Sequence, residues 1–131
     1  MPKVSAAFFF TGTVCLLIGM CWGIHMGASE NMVTMPAHAH LNLLGWVTLS
    51  IYGTFYALTR QTLVARLAWA NYAASTLGLV VMIPSLALFL SHGNDPAYIP
   101  FMSVGEILSV AGLLLFAVSA ARELKRAFAR P

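Results

Sequence analysis

The stretch from Met35 to Leu58 reads MPAHAHLNLLGWVTLSIYGTFYAL. It opens with Pro36, which suits the first turn of a helix because the missing N–H has no helical partner there. The run contains no Asp, Glu, Lys or Arg. About 20 such residues are enough for a helix to cross the hydrocarbon core of a bilayer. The pattern therefore predicts a membrane-spanning helix over about residues 37–58, and its polar opening holds two of the four histidines in the chain.

The composition of the whole chain also indicates that it lies in a lipid bilayer. Of its 131 residues, 60% are hydrophobic and only 8% are charged. Soluble globular domains carry about 25% charged residues. Three further apolar runs predict helices over about residues 4–27, 67–91 and 97–121. The connections are short, which favours an all-α integral membrane fold: an antiparallel bundle of four transmembrane helices in a single domain, residues 1–131.

The basic residues fall on one side of this predicted bundle. They precede the first helix, lie between the second and third, or belong to the tail over residues 122–131. The seven are Lys3, Arg60, Arg66, Arg122, Lys125, Arg126 and Arg130. Because cytoplasmic segments carry an excess of Lys and Arg, the distribution predicts a bacterial-type inner membrane protein with both termini in the cytoplasm. Membrane orientation explains the net charge of +3 better than nucleic-acid binding does.

All four histidines then lie near the outer face. His38 and His40 stand two residues apart, which separates their side chains by about 200° around a helix, at roughly 100° per residue. They cannot bind one ligand from one side of the helix, but they can serve two sites on opposite flanks. Asn42 follows His38 by one helical turn and is predicted to orient its imidazole, as polar partners of metal-ligating histidines do.

The segment from His38 to Trp46, followed by Ile51-Tyr52-Gly53, resembles a helix in the catalytic subunit of the haem-copper oxidases. The resemblance is nearest to the cbb-type branch and its nitric oxide reductase relatives. In that family the equivalent helix starts near the outer face with a His-x-His pair and a downstream Gly-Trp. One of the two histidines ligates the high-spin haem and the other the low-spin haem. The resemblance implies that His38 and His40 are haem ligands.

The same family builds its catalytic subunit from three pseudo-equivalent sets of four helices, and this chain is similar to one set. The resemblance implies a homotrimer, in which b-type haem is held between subunits by His38 of one copy and His40 of the next. The implied function is electron transfer or diatomic-gas binding. The oxygen-reducing site of the family adds copper with three further histidines, whereas only His25 and His92 remain here. A complete oxygen-reducing site is therefore not predicted, and whether the chain is an enzyme stays open.

Two alternatives follow from the residues themselves. The first is a membrane protein that binds copper or another transition metal, in metal handling or oxidase assembly, because imidazole is the commonest metal ligand. Its candidate ligands are His25, His38, His40, His92 and Glu106. The second is a structural membrane subunit without cofactor, whose histidines are interfacial.

Glu106 is the one acidic residue inside a predicted helix. An ionised carboxylate within a bilayer is costly, so Glu106 is expected to be protonated or paired, with Asn42 or Asn71 as candidate partners. Its functional alternatives are a proton acceptor and a metal ligand.

Overall fold

The computed structural model describes residues 1–129. Four long helices account for most of this range: α1 (Lys3–Ser29), α2 (Met35–Leu58), α3 (Ala65–Ser91) and α4 (Pro96–Ala129). Each is long and apolar enough to cross a membrane, which confirms the prediction of an all-helical chain with four potential spans. The helix ends agree with the predicted ones within a few residues, except in α4.

Helix α4 does not end at residue 121. Its first turn, Pro96–Tyr98, is a 3₁₀ turn, and the α-helix then runs without interruption over Ile99–Ala129. The described part of the basic tail is thus a direct continuation of α4, while its last basic residue, Arg130, lies outside the described residues. Among residues 1–129 every Lys and Arg is at one end of the molecule, here called the basic end, and the four histidines are at the other, the histidine end.

Helices α1 and α2 approach closely because glycines line their contact. A Cβ atom on Gly45 would stand 2.7 Å from the Cβ atom of Cys15, and one on Gly23 would stand 3.1 Å from the Cε1 atom of His38. Gly19 faces Asn42 in the same way. Gly19 and Gly23 of α1 therefore lie in the contact with α2.

Helices α3 and α4 pack through a second set of small residues. A Cβ on Gly105 would stand 2.6 Å from the backbone nitrogen of Met82, and one on Gly112 would meet the side chain of Ser75. Gly78 lies against Ser109, where an added Cβ would be 2.6 Å from the hydroxyl oxygen. Such small residues let membrane helices associate by close van der Waals packing.

Aromatic rings and hydroxyls join all four helices in the half of the molecule towards the basic end. The Phe8 ring of α1 lies 5.7 Å from Tyr52 and 5.1 Å from Tyr72 between ring centroids. The Phe116 ring of α4 lies 4.4 Å from Tyr52. These contacts form the aromatic cluster, defined here as Phe8, Tyr52, Tyr56, Tyr72 and Phe116.

A buried hydrogen-bonded chain accompanies the aromatic cluster. The Ser75 hydroxyl donates to the Asn71 side-chain oxygen at 3.0 Å, and the Asn71 amide donates to the Tyr56 hydroxyl at 3.0 Å. The Tyr56 hydroxyl in turn lies 3.1 Å from that of Ser119 on α4. Asn71 is thus committed to Tyr56 and Ser75, so its predicted pairing with Glu106 is wrong.

Removing the central hydroxyl of this chain is expected to weaken the fold moderately. Tyr56→Phe leaves the buried amide of Asn71 without its acceptor, which should lower the free energy of unfolding by about 0.5–2 kcal/mol. Thermal unfolding in detergent, followed by circular dichroism, measures the loss. Tyr98→Phe makes the same chemical change at a hydroxyl outside the buried chain and should be neutral. Equal losses in the two variants would contradict the role given to the hydrogen-bonded chain.

Helix α4 is close to α2 only in the half towards the basic end. It packs along α3, and it reaches α2 through Phe116 and Ser119. Towards the histidine end, α2 and α4 separate and leave an open groove. The bundle is therefore closed at the basic end. At the histidine end it is open along one side, between α2 and α4.

Candidate functional site

The groove between α2 and α4, called the α2–α4 groove below, has a volume of about 360 Å³. Helix α3 forms its floor, because Ser75, Leu79 and Met82 lie between the two walls. Its full lining is His40, Leu44, Thr48, Tyr52, Ser75, Leu79, Met82, Glu106, Ser109, Val110 and Leu113. The walls are mainly apolar with a few polar groups, as in pockets that bind cofactors and small molecules.

The wall formed by α2 is not a regular α-helix. Residues Leu41–Thr48 form a π-helical segment, which begins directly after His40. The Thr48 hydroxyl donates to the carbonyl of Leu43 at 2.9 Å, five residues earlier. Segments of π-helix are rare and are frequently found at functional sites. The π-helix was not predicted, since hydrophobic periodicity over eight residues does not distinguish it from an α-helix.

His40 is held in one tautomer by its own helix. Its Nδ1–H donates to the carbonyl oxygen of Pro36 at 2.7 Å. A carbonyl only accepts, so the neutral ring carries its proton on Nδ1 and keeps a lone pair on Nε2. The side chain is exposed and lines the α2–α4 groove. Histidines that bind metals are commonly oriented by a hydrogen bond of this kind.

His38 points in another direction. Its half-buried ring lies against Gly23 of α1, and the Trp22 ring is 6.3 Å away between centroids. The Asn42 amide donates to Nε2 of His38 at 3.1 Å, which is the predicted contact between these two residues. Within residues 1–129, neither Nδ1 of His38 nor the side-chain oxygen of Asn42 has a hydrogen-bond partner, although both atoms are buried.

The two histidines thus serve opposite flanks of α2, as the angular argument predicted. His38 faces α1, and His40 faces the α2–α4 groove. Asn42 belongs to the α1 side, because its side chain meets Gly19. It lies on the flank away from the groove that contains Glu106, so its predicted pairing with Glu106 is wrong as well.

Glu106 is an exposed residue on the α4 wall of the groove. Nothing in the described part of the chain gives its carboxyl group a hydrogen bond or an ion pair. It stands about 10 Å along the helix from Ile99, at 1.5 Å per residue. The other polar residues that line the groove are His40, Thr48, Tyr52, Ser75 and Ser109.

The other two histidines lie outside the groove, and both are exposed. His25 is near the end of α1. The Nδ1–H of His92 donates to the carbonyl of Leu88 at 2.9 Å, and its ring lies 5.6 Å from that of Tyr98. Over residues 1–129 no group of three or more His, Cys, Asp or Glu is close enough to hold a metal ion. A single-chain site made of several histidines is therefore not supported.

Four groove residues escaped the sequence reasoning: Thr48, Tyr52, Ser75 and Ser109. The Ser109 hydroxyl donates to the carbonyl of Gly105 at 2.9 Å, and Ser75 donates to Asn71. For Ser75 and Ser109 the only sequence signal was their small size on helix faces otherwise made of glycine, alanine and aliphatic residues. Thr48 and Tyr52 gave no such signal.

No protein-family model, curated protein or solved structure matches the chain.

Proposed function

We propose that this chain is a membrane protein that binds b-type haem in the α2–α4 groove, for electron transfer or diatomic-gas binding. His40 would hold the haem iron from the groove side. In a homotrimer, His38 of a neighbouring copy would hold the same haem. The basic end lies in the cytoplasm, and the histidine end lies on the outer side of a bacterial-type inner membrane.

One observation carries this proposal: the geometry of His40. Because Nδ1 donates to Pro36, Nε2 is the unprotonated nitrogen, and Nε2 is the atom through which imidazole commonly binds haem iron. No other histidine in the described chain combines this hydrogen bond with a place in a large groove.

The groove lining fits a haem in its chemistry. Leu44, Leu79, Met82, Val110 and Leu113 offer apolar surface for a macrocycle. The groove is open along one side, so a flat cofactor seated in it would still present one face to a neighbouring copy. When bound, haem would supply one-electron transfer. The protein residues hold the ring, set its axial ligand and exclude water.

His38 is the weaker of the two proposed ligands. Its ring must leave Asn42 and turn away from Gly23 before it can reach a haem at the surface. Two features favour such a turn. Among the described residues the buried Nδ1 atom of His38 has no partner, which costs about 1–3 kcal/mol, and the α1 residue in contact with the ring, Gly23, has no side chain.

The direct test is a reduced-minus-oxidised visible spectrum of the purified protein, expressed with ample haem supply. Sharp b-type bands are the expected result. A colourless protein under these conditions would reject the proposal.

Replacement of His38 tests the intersubunit part separately. If His38 is the second axial ligand, His38→Ala should retain haem through His40 but leave one axial position open. The variant should then bind carbon monoxide, seen as a new band in the carbon monoxide difference spectrum, whereas the wild-type protein should not. Identical spectra for the two proteins would remove His38 from the haem site and leave the role of His40 untouched.

A further inference from the structure

The carboxyl group of Glu106 has no partner among the described residues of its own chain, and lipid cannot supply one. Glu106 is exposed on the α2–α4 groove, and the described residues supply no partner to its carboxyl group. Hydrocarbon cannot solvate a carboxylate, so ionisable groups in membrane spans face protein or a water-filled cavity and pair there. The open side of the groove is therefore a surface that requires a polar partner as well as apolar cover.

The contacts between helices show which residues of the other helices lie at the same depth as Glu106. Gly105 lies against Met82, so Glu106 stands near residue 81 of α3. The Thr11 hydroxyl lies 2.8 Å from that of Tyr72, which sets α1 and α3 side by side with an offset of 61 residues. Residue 81 thus corresponds to residue 20 of α1. A second copy inserted in the same orientation has its residue 20 at the same depth in the bilayer.

Helix α1 presents a free face at this depth. Leu17 is 63% exposed and Ile24 is 70% exposed, and Cys21 between them is exposed as well. The spacing of these three residues places them on one face of the helix. His25, also exposed, adjoins Ile24 at the edge of the same face.

His25 is the group on that face that can donate a hydrogen bond to a carboxylate. It lies about 7 Å further towards the histidine end than residue 20, at 1.5 Å per residue. Side chains on a helix lean towards its N-terminus. Helix α4 starts at the histidine end and α1 starts at the basic end, so Glu106 leans towards the level of His25 and His25 leans towards that of Glu106.

We propose that the α2–α4 groove is closed by helix α1 of a second copy of this chain, which brings Glu106 of one copy into contact with His25 of the next. The contact joins two different surfaces, so it repeats from copy to copy, and it closes as a cyclic oligomer when the rotation between neighbours divides a full turn. A symmetric pairing of two α4 helices would instead set Glu106 against Glu106, and such like-charge contacts are costly. This interface forms without haem and goes beyond the proposed function: it differs from the haem-bridged contact, because His38 of the next copy lies against Gly23, on the face of α1 opposite Cys21.

The native Cys21 provides the test. In the variant Glu106→Cys, the new thiol lies at the depth of Cys21 of the next copy, within reach of a disulfide, which needs Cα atoms about 4.4–6.8 Å apart. Cys15 is buried and stays silent. Mild oxidation of membranes, followed by non-reducing electrophoresis, should give covalent dimers and trimers. Ser103→Cys tests the same face one turn away and keeps Glu106, in case the carboxylate is needed for assembly.

Two controls define the result. Adding Cys21→Ser to either variant should abolish the covalent trimer, and Val104→Cys, at similar depth on another face of α4, should not crosslink. Crosslinks that persist without Cys21 would show that a second α4 covers the groove and would overturn the proposal. So would the absence of crosslinks in both variants, or equal crosslinking of Val104→Cys. The same membranes prepared without haem supply should give the same bands, so this result does not depend on the spectrum.

Discussion

His40→Ala is expected to abolish the visible haem spectrum of the purified protein. His40 is the one histidine that lines the α2–α4 groove, and its tautomer is set by the 2.7 Å hydrogen bond to Pro36. Without it the groove keeps apolar walls but loses its axial nitrogen, so haem should be lost during purification. The haem-to-protein ratio, measured by a pyridine haemochrome assay, should fall to background.

His92→Ala is the matched control for this variant. His92 makes the same kind of bond, from Nδ1 to a carbonyl of its own helix at 2.9 Å, but it lies outside the groove. Its loss should leave the haem content unchanged. Full haem content in His40→Ala would refute the groove as the haem site, and haem loss only in His92→Ala would move the site to the end of α3.

The second large effect is expected for Gly105→Ala. One methyl group at this position would stand 2.6 Å from the backbone nitrogen of Met82 and 2.7 Å from its Cα atom. Backbone atoms cannot rotate away, so α3 and α4 must separate by roughly 1 Å to restore ordinary contact distances. The neighbouring contact between Gly112 and Ser75 would then loosen as well. A loss of about 1–3 kcal/mol in the free energy of unfolding is expected.

Thermal unfolding in detergent measures this loss, and Gly27→Ala is its control. An added Cβ on Gly27 has nothing within 4 Å. Because alanine favours a helix over glycine, Gly27→Ala should be neutral or stabilise by up to about 1 kcal/mol. A Gly105→Ala protein as stable as Gly27→Ala would show that α3 and α4 pack less closely than described here.

Much of the fold could be predicted because lipid imposes simple rules. A run of apolar residues such as Val4 to Gly27 must be a helix in a bilayer, since every backbone polar group needs a partner within the segment. The division of His38 and His40 between two flanks of α2 followed from helical geometry alone. The contact between Asn42 and His38 followed from their spacing of one turn.

The groove could not be predicted in the same way, because it depends on how far helices stand apart. Nothing in the pattern around Leu41 separates a π-helix from an α-helix, yet the segment rotates every later residue of α2. The partner of Asn71 depended on Tyr56, a residue on another helix that periodicity does not locate. The surroundings of Glu106 depended on α4 leaving α2 beyond Phe116, which no local signal records.

The closed end of the bundle is also a pivot point about which the outer half of α4 can tilt together with α3. Phe116 and Tyr52 fix α4 against α2, while Glu106 stands ten residues away, about 15 Å at 1.5 Å per residue, on a stretch of α4 that packs on α3 at Gly105. A joint tilt of α3 and α4 by only about 5° around that contact would move Glu106 by roughly 1.3 Å over this length. The histidine end of the α2–α4 groove can therefore widen or narrow by about an atomic radius, while the rings of Phe116 and Tyr52 at the pivot hardly move. A tilt of this kind would let the half of the bundle towards the histidine end adjust to an occupant of the groove, while the half towards the basic end keeps the chain folded.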